Sequence, residues 1–246
     1  MKKRLLVLGL AFTMLAATAC GTSSDDGNKT SKADKTVTAT SNGNKTSETQ
    51  KNDDKKDDAK ESYKSADDIT MDDLKNHEET PAEDFKYRDK SNGEAVIKEY
   101  IGDDPIVVIP NEIDGKKVVD FGKIFTNNKD IVAVRVGDNV ENIKEGAFGN
   151  CDNLKYIILG KNVKVFEHGN VGGKKFEQLE LNDGLEQLGE EGTSGAVIIL
   201  NKDKVEVKIP ESVNHMAFTG AKTLIVKAGS YAESFAKEHN MDYRVE

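Results

Sequence analysis

Five segments of one pattern recur through the later part of the chain, and they constrain its fold more than any other feature. They are VVIPNEI (107–113), VRVGDNV (134–140), IILGKNV (157–163), LELNDGL (179–185) and VKIPESV (207–213). Each reads apolar, any residue, apolar, then Pro, Gly or Asn, two polar residues and an aliphatic. Their third residues are Ile109, Val136, Leu159, Leu181 and Ile209, spaced 27, 23, 22 and 28 apart. A weaker copy, LIVKAGS, places Val226 a further 17 residues on. Repeats of this length are read as stacked coils, because one short coil cannot bury its apolar face alone.

A second apolar element follows each strand-like segment. Val118 with Phe121, Val140 with Ile143, Val163 with Phe166 and Leu185 with Leu188 recur at i, i+3, and Ala-Phe pairs follow at Ala147-Phe148 and Ala217-Phe218. The expected fold is mainly β: a solenoid of five or six short coils, one parallel ladder of short strands and irregular return arcs. Alternation along a strand sends its side chains to opposite faces. Ile131, Val134 and Val136, then Leu154, Ile157 and Leu159, then Phe176, Leu179 and Leu181 are expected to point inward. Ile143, Phe148, Cys151 and Ile209 join them in the predicted core. The Pro, Gly or Asn after each strand turns the chain off the ladder.

These residues resemble the BspA-type leucine-rich-repeat family of bacterial surface proteins, whose repeat runs roughly strand, I-P-x-x-V, x-x-I-G, x-x-A-F, x-x-C, x-x-L. Val140, Ile143, Ala147, Phe148, Cys151 and Leu154 match it in order and spacing. The leading segment 94–122 and the closing segment GSYAESFAKEHNMDYRVE (229–246) also look like the family's first repeat and its terminal helix and strand. The resemblance covers about residues 86–246 and implies a leucine-rich-repeat domain, 83–246, with a buried structural cysteine at Cys151. The third and fourth repeats depart from the pattern, with Asn170-Val171 and GEEGTSGA where Ala-Phe is expected, so distorted coils are expected there.

Residues 1–20, MKKRLLVLGLAFTMLAATAC, read as a secretory signal: Lys2, Lys3 and Arg4, an apolar run from Leu5 to Leu15, then small residues. The run falls short of the about 20 residues a spanning helix needs. Cys20 before Gly21 resembles a bacterial lipobox, with Ala17 where an aliphatic residue is usual. The resemblance implies lipidation of Cys20 and a membrane anchor through it, on the outer face of the cell membrane. Residues 21–64 are Ser, Thr, Asn, Asp, Lys and Gly with almost nothing apolar, so a disordered tether is expected. About 60 such residues span roughly 43 Å as a flexible coil. Residues 65–82 are expected to be a linker with a short helix, opened by a capping box at Thr70 and Asp73 and thinly apolar at Ile69, Met71 and Leu74.

Composition removes several classes of function. There are 35 Lys+Arg against 44 Asp+Glu, a formal charge of -9, and no dense basic patch, so nucleic acid is not an expected partner. Two cysteines make neither a disulfide framework nor a four-thiolate zinc site. The four histidines, at 77, 168, 215 and 239, show no ligand spacing, and no metal or cofactor is expected. Carboxylate pairs such as Asp103-Asp104, Glu190-Glu191 and Asp183 with Glu186 read as solvated charge. No catalytic residues are assigned.

The candidate binding face is the outward side of the strand ladder. Arg135, Ile158, Glu180 and Lys208 form one outward column; Ala133, Tyr156, Gln178 and Glu206 form its neighbour. Tyr156 beside Ile158 is an apolar spot among polar residues, the composition of a protein-binding patch. The expected function is a non-catalytic interaction or adhesion module, exported and lipid-anchored, with an extracellular protein or an envelope or host component as partner. A structural envelope component without a ligand, and a wall-polymer hydrolase, are the alternatives.

Overall fold

The structure is a computed structural model and describes residues 65–167, 171, 175–189, 203–217 and 220–246. The signal-like segment with Cys20, the tether, His168, Asn170, Glu190-Glu191, the GEEGTSGA stretch after Gly189 and Phe218 lie outside the described residues.

The folded unit opens with helix α1 (Met71–Asn76) and the antiparallel hairpin β1 (Phe85–Asp89) and β2 (Glu94–Tyr100). Short strands then alternate between two ladders. The first ladder takes β3 (Ile106–Val108), β6 (Ala133–Arg135), β8 (Tyr156–Ile158) and β10 (Gln178–Glu180). The second takes β5 (Lys116–Phe121), β7 (Asn142–Ile143), β9 (Val165–Phe166), β11 (Gln187–Leu188) and β13 (His215–Met216), with β2 on its outer side. The two-residue β4 (Glu112–Ile113) pairs antiparallel with β5. A third ladder joins β12 (Glu206–Lys208), β14 (Thr223–Val226) and β15 (Tyr243–Val245), and helix α2 (Tyr231–Glu238) packs beside it.

Register explains why the repeats stack. Val107, Val134, Ile157 and Leu179 are direct partners in neighbouring rungs of the first ladder, and all are buried. The marker residues follow two positions later and keep the ladder going: Ile109 N–H donates to the Arg135 carbonyl at 2.8 Å, Val136 N–H to the Ile158 carbonyl at 2.9 Å and Leu159 N–H to the Glu180 carbonyl at 3.0 Å. In the second ladder Phe121, Ile143, Phe166, Leu188 and Met216 are successive partners, again all buried. The i, i+3 pairs of the sequence thus lie on a parallel ladder of their own. Such strands are only two residues long, which leaves no alternation for a sequence pattern to display.

The first ladder does not run on to β12, although the second continues from β11 to β13. In sequence, 18 positions separate Leu188 from Glu206, against 12 or 13 between the corresponding strands of the three coils before. β12 starts a separate ladder with β14. The correction falls on Leu181, expected inside the core. It is only half-buried, packed against the core's edge where the next rung splays away.

The other predicted core residues, Val134, Val136, Ile143, Phe148, Cys151, Leu154, Ile157, Leu159, Leu179 and Ile209, are buried in one continuous cluster. Its centre is a run of aromatic rings. Phe148 stacks on Phe125 at 5.6 Å and meets Phe121 and Phe166 edge-on at 6.2 and 6.1 Å. Cys151 sits below Phe125 and donates its thiol to the Phe125 carbonyl at 3.0 Å. Burial pushes this thiol's pKa up to about 12, and a neutral thiol is a poor nucleophile. In the native protein at pH 8 Cys151 should therefore resist iodoacetamide for hours. In denaturant, where the ordinary value of 9.0 returns, it should alkylate within minutes. Peptide mapping reads this out, and rapid native alkylation at Cys151 would contradict its burial.

Candidate functional site

Each rung of the first ladder, and β12 in its separate ladder, turns its middle residue into the core, so both outer residues face away from it. Arg135 ends β6, Tyr156 and Ile158 bound β8, Gln178 and Glu180 bound β10, and Glu206 and Lys208 bound β12. All seven therefore belong to outward columns. The structure divides them into two halves with different surroundings.

The half built on β3, β6 and β8 is covered by the chain's own residues 65–80. Thr70 makes α1 possible. Its hydroxyl accepts from the Asp73 N–H at 3.3 Å, and the Asp73 carboxylate accepts from the Thr70 N–H at 2.7 Å. The reciprocal bonds satisfy two helix-end donors, and such a cap is worth about 1 kcal/mol. The Thr70 hydrogen bonds also hold the Asp73 carboxyl below the usual carboxylate range. The cap aims Ile69 and Leu74 at the ladder, and both are fully buried. They pack with Ile106, Val132, Ala133 and Tyr156 in a cluster separate from the interior core, with Met71 and Ile158 at its margin.

Polar contacts fasten the rest of this strap. The Lys155 ammonium, 6% exposed as a residue, donates to the carbonyls of Asp67 and Ile69 at 3.3 and 3.1 Å. Arg135 donates through Nη2 to the His77 carbonyl. Lys75 pairs with Glu180 at 2.8 Å and Lys175 with Asp67 at 3.4 Å. Thr80 caps the first rung: its N–H donates to the Val108 carbonyl at 3.0 Å, and its hydroxyl accepts from the Val108 N–H at 2.9 Å. Burying Ile69 and Leu74 gives roughly 1.5–3 kcal/mol each. Exposed ion pairs such as Lys75–Glu180 add about 0–1 kcal/mol. The apolar anchors therefore dominate.

Two sequence expectations change here. Residues 65–80 are part of the folded unit and not a linker before it. Arg135, Tyr156 and Ile158 are not an open binding face, because the strap lies over them. Tyr156 is 8% exposed, and its hydroxyl donates to Glu177 at 2.6 Å. Burial, then the Glu177 carboxylate, pushes that phenol's pKa well above its ordinary value. The strap's capping box and its two aliphatics are visible in the sequence. Their partners lie about 30 to 90 residues away, and no local pattern points to them.

The other half is solvent-facing. Gln178, Glu206 and Lys208 are exposed. Glu206 pairs with Arg244 at 2.8 Å, and Lys208 pairs with Glu246, so the C-terminal strand engages both. Where β10 and β12 splay, Glu180, Leu181, Lys204 and Ile225 line an open cleft of about 550 Å³. The described histidines do not converge. His77 lies 3.7 Å from Asp104, His239 packs on Phe235 at 4.2 Å, and His215 sits on β13. Among the described residues no group of three His, Cys, Asp or Glu side chains is placed to hold a metal ion.

No family model and no curated protein matches the chain. Three solved structures are similar to it. A leucine-rich-repeat protein of T. pallidum is 24% identical, with a TM-score of 0.49, over 60% of this chain and 71% of that one. A leucine-rich-repeat protein of Bacteroides ovatus is 18% identical, with a TM-score of 0.41, over 58% of this chain and 48% of that one. A leucine-rich cell surface protein of Faecalibacterium prausnitzii is 16% identical, with a TM-score of 0.35, over 58% and 53%. The chain thus spans about half the length of the latter two. With rungs in the registers given above and a helix and strand beside the last ladder, the described residues fold as a mainly β solenoid of stacked coils.

Proposed function

We propose that the chain is an exported surface protein, lipid-anchored through Cys20, whose repeat domain is a non-catalytic protein-interaction module. The observation that carries this reading is that the outward ladder face already holds a peptide: it buries Ile69 and Leu74 of residues 65–80 in an apolar cluster of its own. A surface that grips one segment of chain has the shape and chemistry to grip others. The non-catalytic part rests on side-chain chemistry. Cys151 is neutral and buried, and the described histidines are dispersed. The export and anchor part rests on the residues before Gly21.

The test uses the full chain in its own host, with a photo-crosslinking residue at Gln178, which is exposed beside the covered patch. Irradiation should give a discrete adduct with one envelope or extracellular protein, and the mature N-terminus should carry acyl chains on Cys20 by mass spectrometry. Cys20→Ser should release the protein from the membrane. Crosslinks spread over many unrelated proteins, or none, would remove the interaction reading. An unmodified Cys20 would remove the anchor.

A further inference from the structure

We infer that residues 65–79 are a built-in pseudo-ligand, and that the partner of this face carries an acidic segment with two aliphatic anchors of the same kind. The inference rests on the reading of the ladder face as a binding surface and states what that surface selects.

Four observations converge on it. The strap's contacts form a cluster distinct from the interior core, so the solenoid does not need the strap to close its own interior. The pocket under the strap is apolar at Ile106, Ala133 and Tyr156, and its rim carries Lys155, Lys175 and Arg135 together with Glu177, 3.8 Å from Lys155, and Glu180, which pairs with the strap's one lysine, Lys75. The segment in that pocket matches it in both respects. It inserts Ile69 and Leu74 and carries Asp67, Asp68, Asp72, Asp73, Glu78 and Glu79 against the single cation Lys75. Finally, much of the polar fastening runs to the strap's backbone: Lys155 to the carbonyls of Asp67 and Ile69, Arg135 to that of His77. Backbone carbonyls are common to every peptide, so these cations would hold any segment with correctly spaced anchors. Side-chain identity is read at the two aliphatic positions and through overall negative charge.

The consequence is competition. An external acidic segment reaches the face only when the strap leaves it, and the strap is retained at high effective concentration by its covalent link at Thr80. Apparent affinity for the partner is then reduced by the fraction of time that the strap is seated.

The experiment inserts a site-specific protease sequence between Glu78 and Glu79, both exposed, in the full chain. The protein folds with the strap attached and is cut afterwards, leaving Thr80 on Val108. After cutting, the N-terminal piece should separate from the solenoid on dilution, while the circular dichroism of the solenoid stays unchanged. A fluorescent synthetic peptide of residues 65–79 should then bind the stripped solenoid. A peptide with Ile69→Asp and Leu74→Asp should bind at least tenfold more weakly, and one with Asp67, Asp68 and Asp72 changed to Asn several-fold more weakly with a reduced salt dependence. The uncut protein should bind the native peptide at least tenfold more weakly than the stripped one. Unfolding on loss of the strap, a strap that stays bound at every dilution, or equal binding of native and Asp-substituted peptides would each overturn the inference. The assay contains no external partner. A silent crosslinking experiment with intact peptide rebinding would therefore remove only the proposed function, and the reverse result only this inference.

Discussion

Phe148→Ala should lower the unfolding free energy by about 3–5 kcal/mol, the range for emptying a buried phenylalanine site. Phe148 is 1% exposed and touches three other rings: Phe121 and Phe125 of the coil before it and Phe166 of the coil after. Truncation removes the ring's transfer energy and leaves a void between stacked coils. It also removes aromatic pair contacts worth about 0.5–1.5 kcal/mol beyond area. The walls cannot collapse inward, because Phe121 and Phe166 are fixed by their ladder partners Ile143 and Leu188. At about 2–4 °C per kcal/mol, the midpoint of thermal unfolding should fall by about 6–20 °C. Phe148→Leu should recover most of the loss, since it keeps most of the apolar volume. Urea unfolding monitored by circular dichroism measures both. A loss under about 1 kcal/mol for the alanine variant would mean that the rings do not form the interior described here.

Phe148 also shows how far the sequence reaches. Its place in an Ala-Phe-x-x-Cys-x-x-Leu run set it inside a coil, and the inward residues of the first three rungs are legible from alternation alone. What alternation cannot show is where a ladder ends. Leu181 carries the same pattern as Val136 and Leu159, yet it is half-buried, because β10 is the last rung of the first ladder and Leu181 lies at its open edge. The second ladder shows in the sequence only as apolar pairs, since a two-residue strand has no period to detect. The sequence pattern shows the outward columns of the ladder but not the segment that lies over them. Tyr156 and Ile158 are an exposed patch on the ladder considered alone, and the segment that covers them is separated by more than 80 residues of chain. Ile69, just ahead of the Thr70 cap, and Leu74 by themselves amount to a thin apolar stripe along and before a marginal six-residue helix. Its stability comes from docking, as for most short helices.

Gly160→Ala should destabilise the solenoid by about 1–3 kcal/mol, the cost of inserting atoms into a packed site, and the reason lies in how closely the rungs stack. The residues after the strands, Pro110, Gly137, Gly160, Asn182 and Pro210, read in the sequence as turn-formers. At Gly160 backbone angle is not the constraint. A Cβ there would lie 2.2 Å from the Gly137 carbonyl oxygen and 2.8 Å from that of Val136, and a Cβ at Gly137 would lie 2.5 Å from the Ile109 carbonyl oxygen. Each glycine therefore rests directly on the backbone of the rung before it, and its lack of a side chain lets the two rungs close up. An alanine methyl cannot occupy that space, so the strand must move. The bonds that must lengthen are those flanking it, Val136 N–H to the Ile158 carbonyl at 2.9 Å and Leu159 N–H to the Glu180 carbonyl at 3.0 Å. Gly122→Ala is the matched control. Its Cβ would meet only the Lys144 side chain at 3.7 Å, an ordinary contact. Removing a glycine from the unfolded ensemble at such a site is expected to be neutral or to stabilise by about 0.4–1 kcal/mol. The two alanine variants should thus shift thermal unfolding in opposite directions or leave only Gly160→Ala lowered. Amide exchange in the Gly160 variant should quicken first at Val136 and Leu159. Equal midpoints for the two variants would show that turn propensity, and not rung-to-rung contact, selects glycine at this position.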